Sequence, residues 1–128
     1  MTMFLQLNHQ KLEVYTATRR FVSECYKVSK ILPSEERFNL VSQIRRAALS
    51  VHLNLAEGAS RKSPVERKRF YEISRGSIIE IDTALDVVFD LQYCNSEELK
   101  PIEESLLRSF KLLSLLINKS SCIHPFTH

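Results

Sequence analysis

Glycine is scarce in this chain of 128 residues: only Gly58 and Gly76 occur, with four prolines and no tryptophan. Sandwiches and barrels need many tight turns, and so few glycines can hardly supply them. No apolar run approaches the roughly 18–20 residues that a membrane-spanning helix requires. The opening stretch, MTMFLQLNHQKLEV, lacks a cationic head followed by an apolar block, so no secretory signal is expected. The three cysteines, Cys25, Cys94 and Cys122, are odd in number, far apart and without a CxxC pair. They read as reduced thiols, and a cytoplasmic protein is the expectation.

Motifs of common chemistry are missing too. There is no glycine-rich phosphate loop, HExxH, GxSxG or Walker pattern. No catalytic residue, cofactor or small-molecule substrate is therefore expected. Cys122, His124 and His128 have a superficial metal spacing but lack a fourth ligand nearby, so no metal is expected. Arg46 and His52 match Arg-x5-His, the ribonuclease motif of HEPN bundles. Ala47 replaces the usual polar residue, however, and six residues turn a helix by about 240°, which makes the two side chains diverge.

What remains is helical periodicity. The composition, 44% hydrophobic and 26% charged, suits one globular domain over 1–128. Breakers divide it into helices over about 9–32, 35–57, 64–91 and 97–118, with an irregular tail over 119–128. Asn8 caps the first, whose apolar face is Leu12, Tyr15, Val22, Cys25, Val28 and Leu32; Pro33 ends it. Ser34 caps the second, with Glu35 and Glu36 in its first turn, and Val41, Ile44, Ala48, Val51 and Leu55 form its seam. Gly58 stands where a left-handed residue would close it. Ser63-Pro64-Val65-Glu66 is a capping box with proline at the first helical position. Asn95 or Ser96 opens the fourth helix. Short connections make successive helices antiparallel, so the expected fold is all-α, an up-down-up-down four-helix bundle.

A monomeric bundle needs one apolar stripe per helix. Here eight of the twelve residues from Leu106 to Ile117 are apolar, and nine of the fourteen from Ile78 to Leu91. Leu49 and Leu53 lie about 140–180° from the Ile44 seam. The excess points to a second buried face in a homo-oligomer, with Leu49, Leu53, Asp82, Asp86, Leu112 and Leu116 as candidate contacts.

Charge is segregated along the chain. Residues 42–76 carry eight Lys/Arg against three Asp/Glu, and residues 77–118 carry three against eight. The basic set includes Arg45, Arg46, Arg61, Lys62, Arg67, Lys68, Arg69 and Arg75. Arg45, Arg46 and Arg75 are expected to crowd one level of the bundle. The start of the third helix offers free N–H groups beside Arg61 and Lys62, a phosphate-binding arrangement. Arg61, Lys62, Lys68 and Arg69 are the first candidates for nucleic-acid contacts, followed by Arg45, Arg46 and Arg75. Asp82, Asp86 and Asp90 repeat every four residues on the third helix and could meet those arginines across a subunit boundary.

Ser34-Glu-Glu-Arg-Phe38, Gln43-Ile-Arg-Arg-Ala-Ala48, Ser50 and Asn54-Leu-Ala-Glu-Gly58 followed by Arg61 resemble the signature of the bacterial "four helix bundle protein" family, also called 23S rRNA intervening-sequence proteins. Phe70-Tyr71, Arg75-Gly-Ser77, Glu80, Asp82 and the run to Leu91-Gln-Tyr93 are similar to the family's third helix. His52 departs from the pattern, where a proline or small residue is expected. The resemblance implies a homopentamer with no established enzymatic activity. A related group, the accessory variability determinants of diversity-generating retroelements, binds nucleic acid and a reverse transcriptase through basic surface. Two functions follow as expectations: a non-catalytic oligomer binding RNA or DNA phosphates, or a protein-interaction scaffold that binds no nucleic acid.

Overall fold

A computed structural model describes the backbone of residues 12–123 and the side chains of 12–120. The helices are α1 (Glu13–Ile31), α2 (Leu40–Ala59), α3 (Pro64–Asp90) and α4 (Ser96–Ile123), with a 3-10 turn at Ser34–Glu36. There is no strand among the described residues. The candidate cap Asn8 and the expected helix start at residue 9 lie outside them.

Each helix packs on two neighbours, in the cyclic order α1, α2, α3, α4. Short connections and cross-helix contacts together make every adjacent pair antiparallel. Between α1 and α2, Thr18 meets His52 at 2.9 Å and Ser29 meets Arg45 at 2.8 Å. Between α2 and α3, Ser50 meets Ser77 at 2.8 Å, and Ser74 donates to the Val51 carbonyl at 2.6 Å. Arg75 reaches Ser114 of α4 at 3.1 Å, and Arg108 of α4 returns to Glu13 of α1 at 2.6 Å. The core is a single cluster centred on Phe21, Ile44, Val51, Ile78, Ile102 and Leu113, all fully buried. Ile44, Ala48, Val51 and Leu55 form the α2 seam, while Leu12 sits exposed at the start of α1.

Three helix ends differ from the reading of the sequence. Leu32 is extended (φ −66°, ψ 146°), as a residue before proline prefers. The chain then makes the 3-10 turn instead of entering α2 at once. Asn39 leaves helical geometry (φ −115°, ψ −100°), so α2 begins at Leu40 and Ser34 does not cap it. The turn is tied to the α3–α4 connection by the Tyr93 hydroxyl, which donates to Glu36 at 2.8 Å and holds the tyrosine pKa above its usual value.

Gly58 does not terminate α2. No glycine has a positive φ, and the helix runs on to Ala59. Gly58 is needed for close approach: a Cβ there would lie 2.9 Å from both Phe70 Cβ and Tyr71 Cε1 of α3. The left-handed residue is instead Gln92 (φ 62°), after α3. Its N–H donates to Phe89 and that of Tyr93 to Val88, the paired bonds of a Schellman motif. At the next start, Asn95 Oδ1 accepts from the Glu98 N–H while Glu98 Oε1 accepts from the Asn95 N–H. That reciprocal box opens α4, which passes the expected end at Asn118 and reaches Ile123.

Gly58→Ala should destabilise the fold by about 1–3 kcal/mol, because the backbones must part to admit a methyl group. Gln92→Gly should stabilise it by about 1 kcal/mol, because glycine carries little penalty at positive φ. Urea denaturation midpoints of both variants check the signs.

Candidate nucleic-acid interface

The α2–α3 connection, residues 60–63, forms one tip of the bundle. It is held from within: the Arg67 guanidinium donates through one nitrogen to the carbonyls of Arg61 (3.0 Å) and Lys62 (2.7 Å). A cation in the first turn of a helix opposes the dipole. Here Arg67 offsets that cost by satisfying loop carbonyls, a role its sequence position did not reveal.

Around this loop, Arg61, Lys62 and Arg69 are exposed and Lys68 is half-buried. Arg61 pairs with Glu57 at 2.6 Å and lies over the Phe70 ring, 5.1 Å from its centroid. These contacts orient the guanidinium while leaving it at the surface. The helix start is less open than the sequence suggested. Pro64 has no N–H, that of Glu66 reaches Ser63 Oγ at 3.4 Å, and that of Arg67 reaches the Ser63 carbonyl at 2.9 Å. A phosphate at this tip would be held mainly by side chains.

Arg45, Arg46 and Arg75 do not form the expected cluster. Arg45 turns to α1, donating to Ser29 and lying 4.9 Å over Tyr26. Arg75 turns to α4, donating to Ser114 and lying 5.8 Å from the Phe110 centroid. They occupy opposite flanks. Arg46 is exposed and donates to Gln43 Oε1 at 2.6 Å. The α2–α3 register, with Ser50 opposite Ser77, sets Arg46 level with Glu80 and not with Arg75. The shift is about one turn, because the hairpin is centred nearer Ser63 than Ser60.

Among the described residues, none of these three arginines pairs with a carboxylate. Asp82, Asp86 and Asp90 likewise form no ion pair with the described residues; with Glu103 and Phe89 they line a groove between α3 and α4. Leu49 (43% exposed) and Leu53 (61%) project outward, whereas Leu112 and Leu116 are half-buried against the core. The outward leucines of α4 are Leu107 and Leu115. Helix-wheel position distinguishes them; apolar count alone did not.

His52 Nδ1 meets Thr18 Oγ1, and its ring packs 4.5 Å from that of Tyr15. It faces α1, apart from the solvent-facing Arg46, so the two do not converge on a common phosphate. Among the described residues no group of three His, Cys, Asp or Glu is placed to hold a metal. The Cys122 side chain, His124 and His128 lie outside them. No helix among the described residues is long and apolar enough to cross a membrane.

Cys25 and Cys94 are buried and unpaired. Burial, reinforced by the neighbouring Glu24 carboxylate, pushes the Cys25 thiol up to about 12; burial and Glu98 raise Cys94 as well. Neither provides a thiolate nucleophile near neutral pH. In a Cys122→Ser variant, Ellman's reagent at pH 8 should therefore label no thiol until denaturant is added. Rapid labelling of the native variant would contradict the buried placement.

No curated protein matches the chain. A crystal structure of a Bacteroides thetaiotaomicron VPI-5482 protein with unknown function, from the S23 ribosomal protein family, is similar with a TM-score of 0.75. The two are 22% identical, over 81% of this chain and 97% of that one, a likeness of fold. The family model described as 23S rRNA-intervening sequence protein matches residues 10–115, nearly the whole bundle. This chain belongs to the 23S rRNA-intervening sequence protein family.

Proposed function

We propose that the protein is a non-catalytic, cytoplasmic homo-oligomer, a ring of five, that binds RNA or DNA phosphates through the α2–α3 tip. The observation that carries this reading is the division of charge between the two ends of the bundle. Arg61, Lys62, Lys68 and Arg69 gather at one tip, with Glu57 paired to Arg61. The opposite end, where the α1–α2 and α3–α4 connections meet, carries Glu35, Glu36, Asp86, Asp90, Glu97 and Glu98 against Lys30, Arg37 and Lys100, an acidic excess. A polyanion is drawn to the first and repelled by the second. Repeating the tip around an assembly multiplies weak phosphate contacts into useful avidity. The number five rests on the family resemblance.

Phosphate contacts give affinity without base readout, and that affinity falls steeply with salt. Replacing Arg61, Lys62, Lys68 and Arg69 together by alanine should weaken binding to all sequences alike and reduce the salt slope by about one per lost contact. Oligomeric state, followed in parallel by sedimentation, should not change. Absence of salt-dependent binding by the wild type near about 50 mM salt would overturn the reading. A protein-interaction scaffold, favoured by the exposed leucines of α2 and α4, would then take its place.

A further inference from the structure

Gly76 lies in the middle of α3, seven residues or more from either end, and faces solvent. A glycine there weakens a helix relative to alanine. Gly58 has a reason within the chain, since a Cβ would collide with α3; Gly76 has none, for a Cβ added to it meets nothing within 4 Å. Its neighbours on the same outer face are Ile73 and Ile79, three residues to each side and 43% and 52% exposed. The α2–α3 register sets Leu53 level with Ile73 and Leu49 level with Ser77, so both exposed leucines adjoin this strip. A small residue flanked by large apolar ones is the surface a closely packed second helix requires.

We infer that Gly76 is the close-contact point of an interface at which the α2–α3 face of one copy receives the α3–α4 face of the next. This rests on the homo-oligomer reading and assigns its surfaces. Charge identifies the occupant as a second copy of this chain. Beside Leu49 and Leu53, α2 carries Arg45 and Arg46, which have no carboxylate partner among the described residues. On the other flank of α3, Asp82 and Asp86 have no cationic partner among the described residues, and the α3–α4 register brings Glu103 and the exposed Leu107 beside them. One molecule thus bears a basic apolar face and an acidic apolar face on adjoining sides of a single helix. Contact between unlike faces is head-to-tail, and such contacts close into rings when the rotation permits.

Sedimentation equilibrium at micromolar concentration, with circular dichroism as the control for folding, tests the assignment. Gly76→Leu should retain the helical spectrum, because the position is open within one chain, and should weaken self-association at least tenfold. Arg46→Glu alone, and Asp82→Arg with Asp86→Arg, should each weaken it; the combined triple variant should recover much of the wild-type association. An oligomeric wild type whose association survives Gly76→Leu and both charge reversals would overturn the assigned surfaces while sparing the oligomer reading. A monomeric wild type would overturn both.

Discussion

The close packing of α2 on α3 is the constraint from which the rest of the bundle follows. Gly58 lets the backbone of α2 approach Phe70 and Tyr71, and two hydroxyl contacts lock the pair: Ser50 with Ser77, and Ser74 with the Val51 carbonyl. Ser74 and Ser77 are buried, and a buried hydroxyl is costly when unpaired, so a shift of one turn would break both contacts while misaligning the apolar seam. Once that register is set, the α2–α3 loop must project at one tip, Arg67 must fold back to hold it, and Arg45 and Arg75 must turn to opposite flanks. The position of every candidate cation is a consequence of this single helix pair.

The fold was legible in the sequence because its signals are local and periodic. The Ile44–Leu55 seam, the Ser63 N-cap and the stop at Pro33 each follow from spacing or from the chemistry of a single residue, although the Glu66 half of the expected capping box does not form. The errors fell where a local signal has two readings. Glycine after a helical run is either a terminator or a point of close approach, and only the partner helix decides; for Gly58 it is the latter. The left-handed position fell to Gln92, whose side chain announces nothing of the kind. The second helix began late because Asn39 breaks the geometry after a 3-10 turn that Ser34-Glu-Glu imitates as a helix start.

The candidate site was legible in part. That residues 42–76 are basic is plain from counting, but which cations share a surface depends on register, and an error of one turn moved Arg46 from Arg75 to Glu80. Arg67 is indistinguishable in sequence from Lys68 and Arg69, yet it is an internal strut, not a surface cation. The apolar excess was visible as composition, while its resolution into half-buried Leu112 and Leu116 against exposed Leu107 and Leu115 needed the packing.

Charge segregated along the chain becomes charge segregated in space, because an up-down-up-down bundle delivers the α2–α3 loop to one end and the other two connections to the opposite end. The central claim is that the basic end is a phosphate-binding pole. Photo-cross-linking of the native protein to RNA, with mapping of the modified peptides, tests this most directly. The account predicts adducts concentrated between Gly58 and Tyr71. Adducts concentrated on α3 from Asp82 to Asp90 or on α4, or no adduct at low salt, would contradict it.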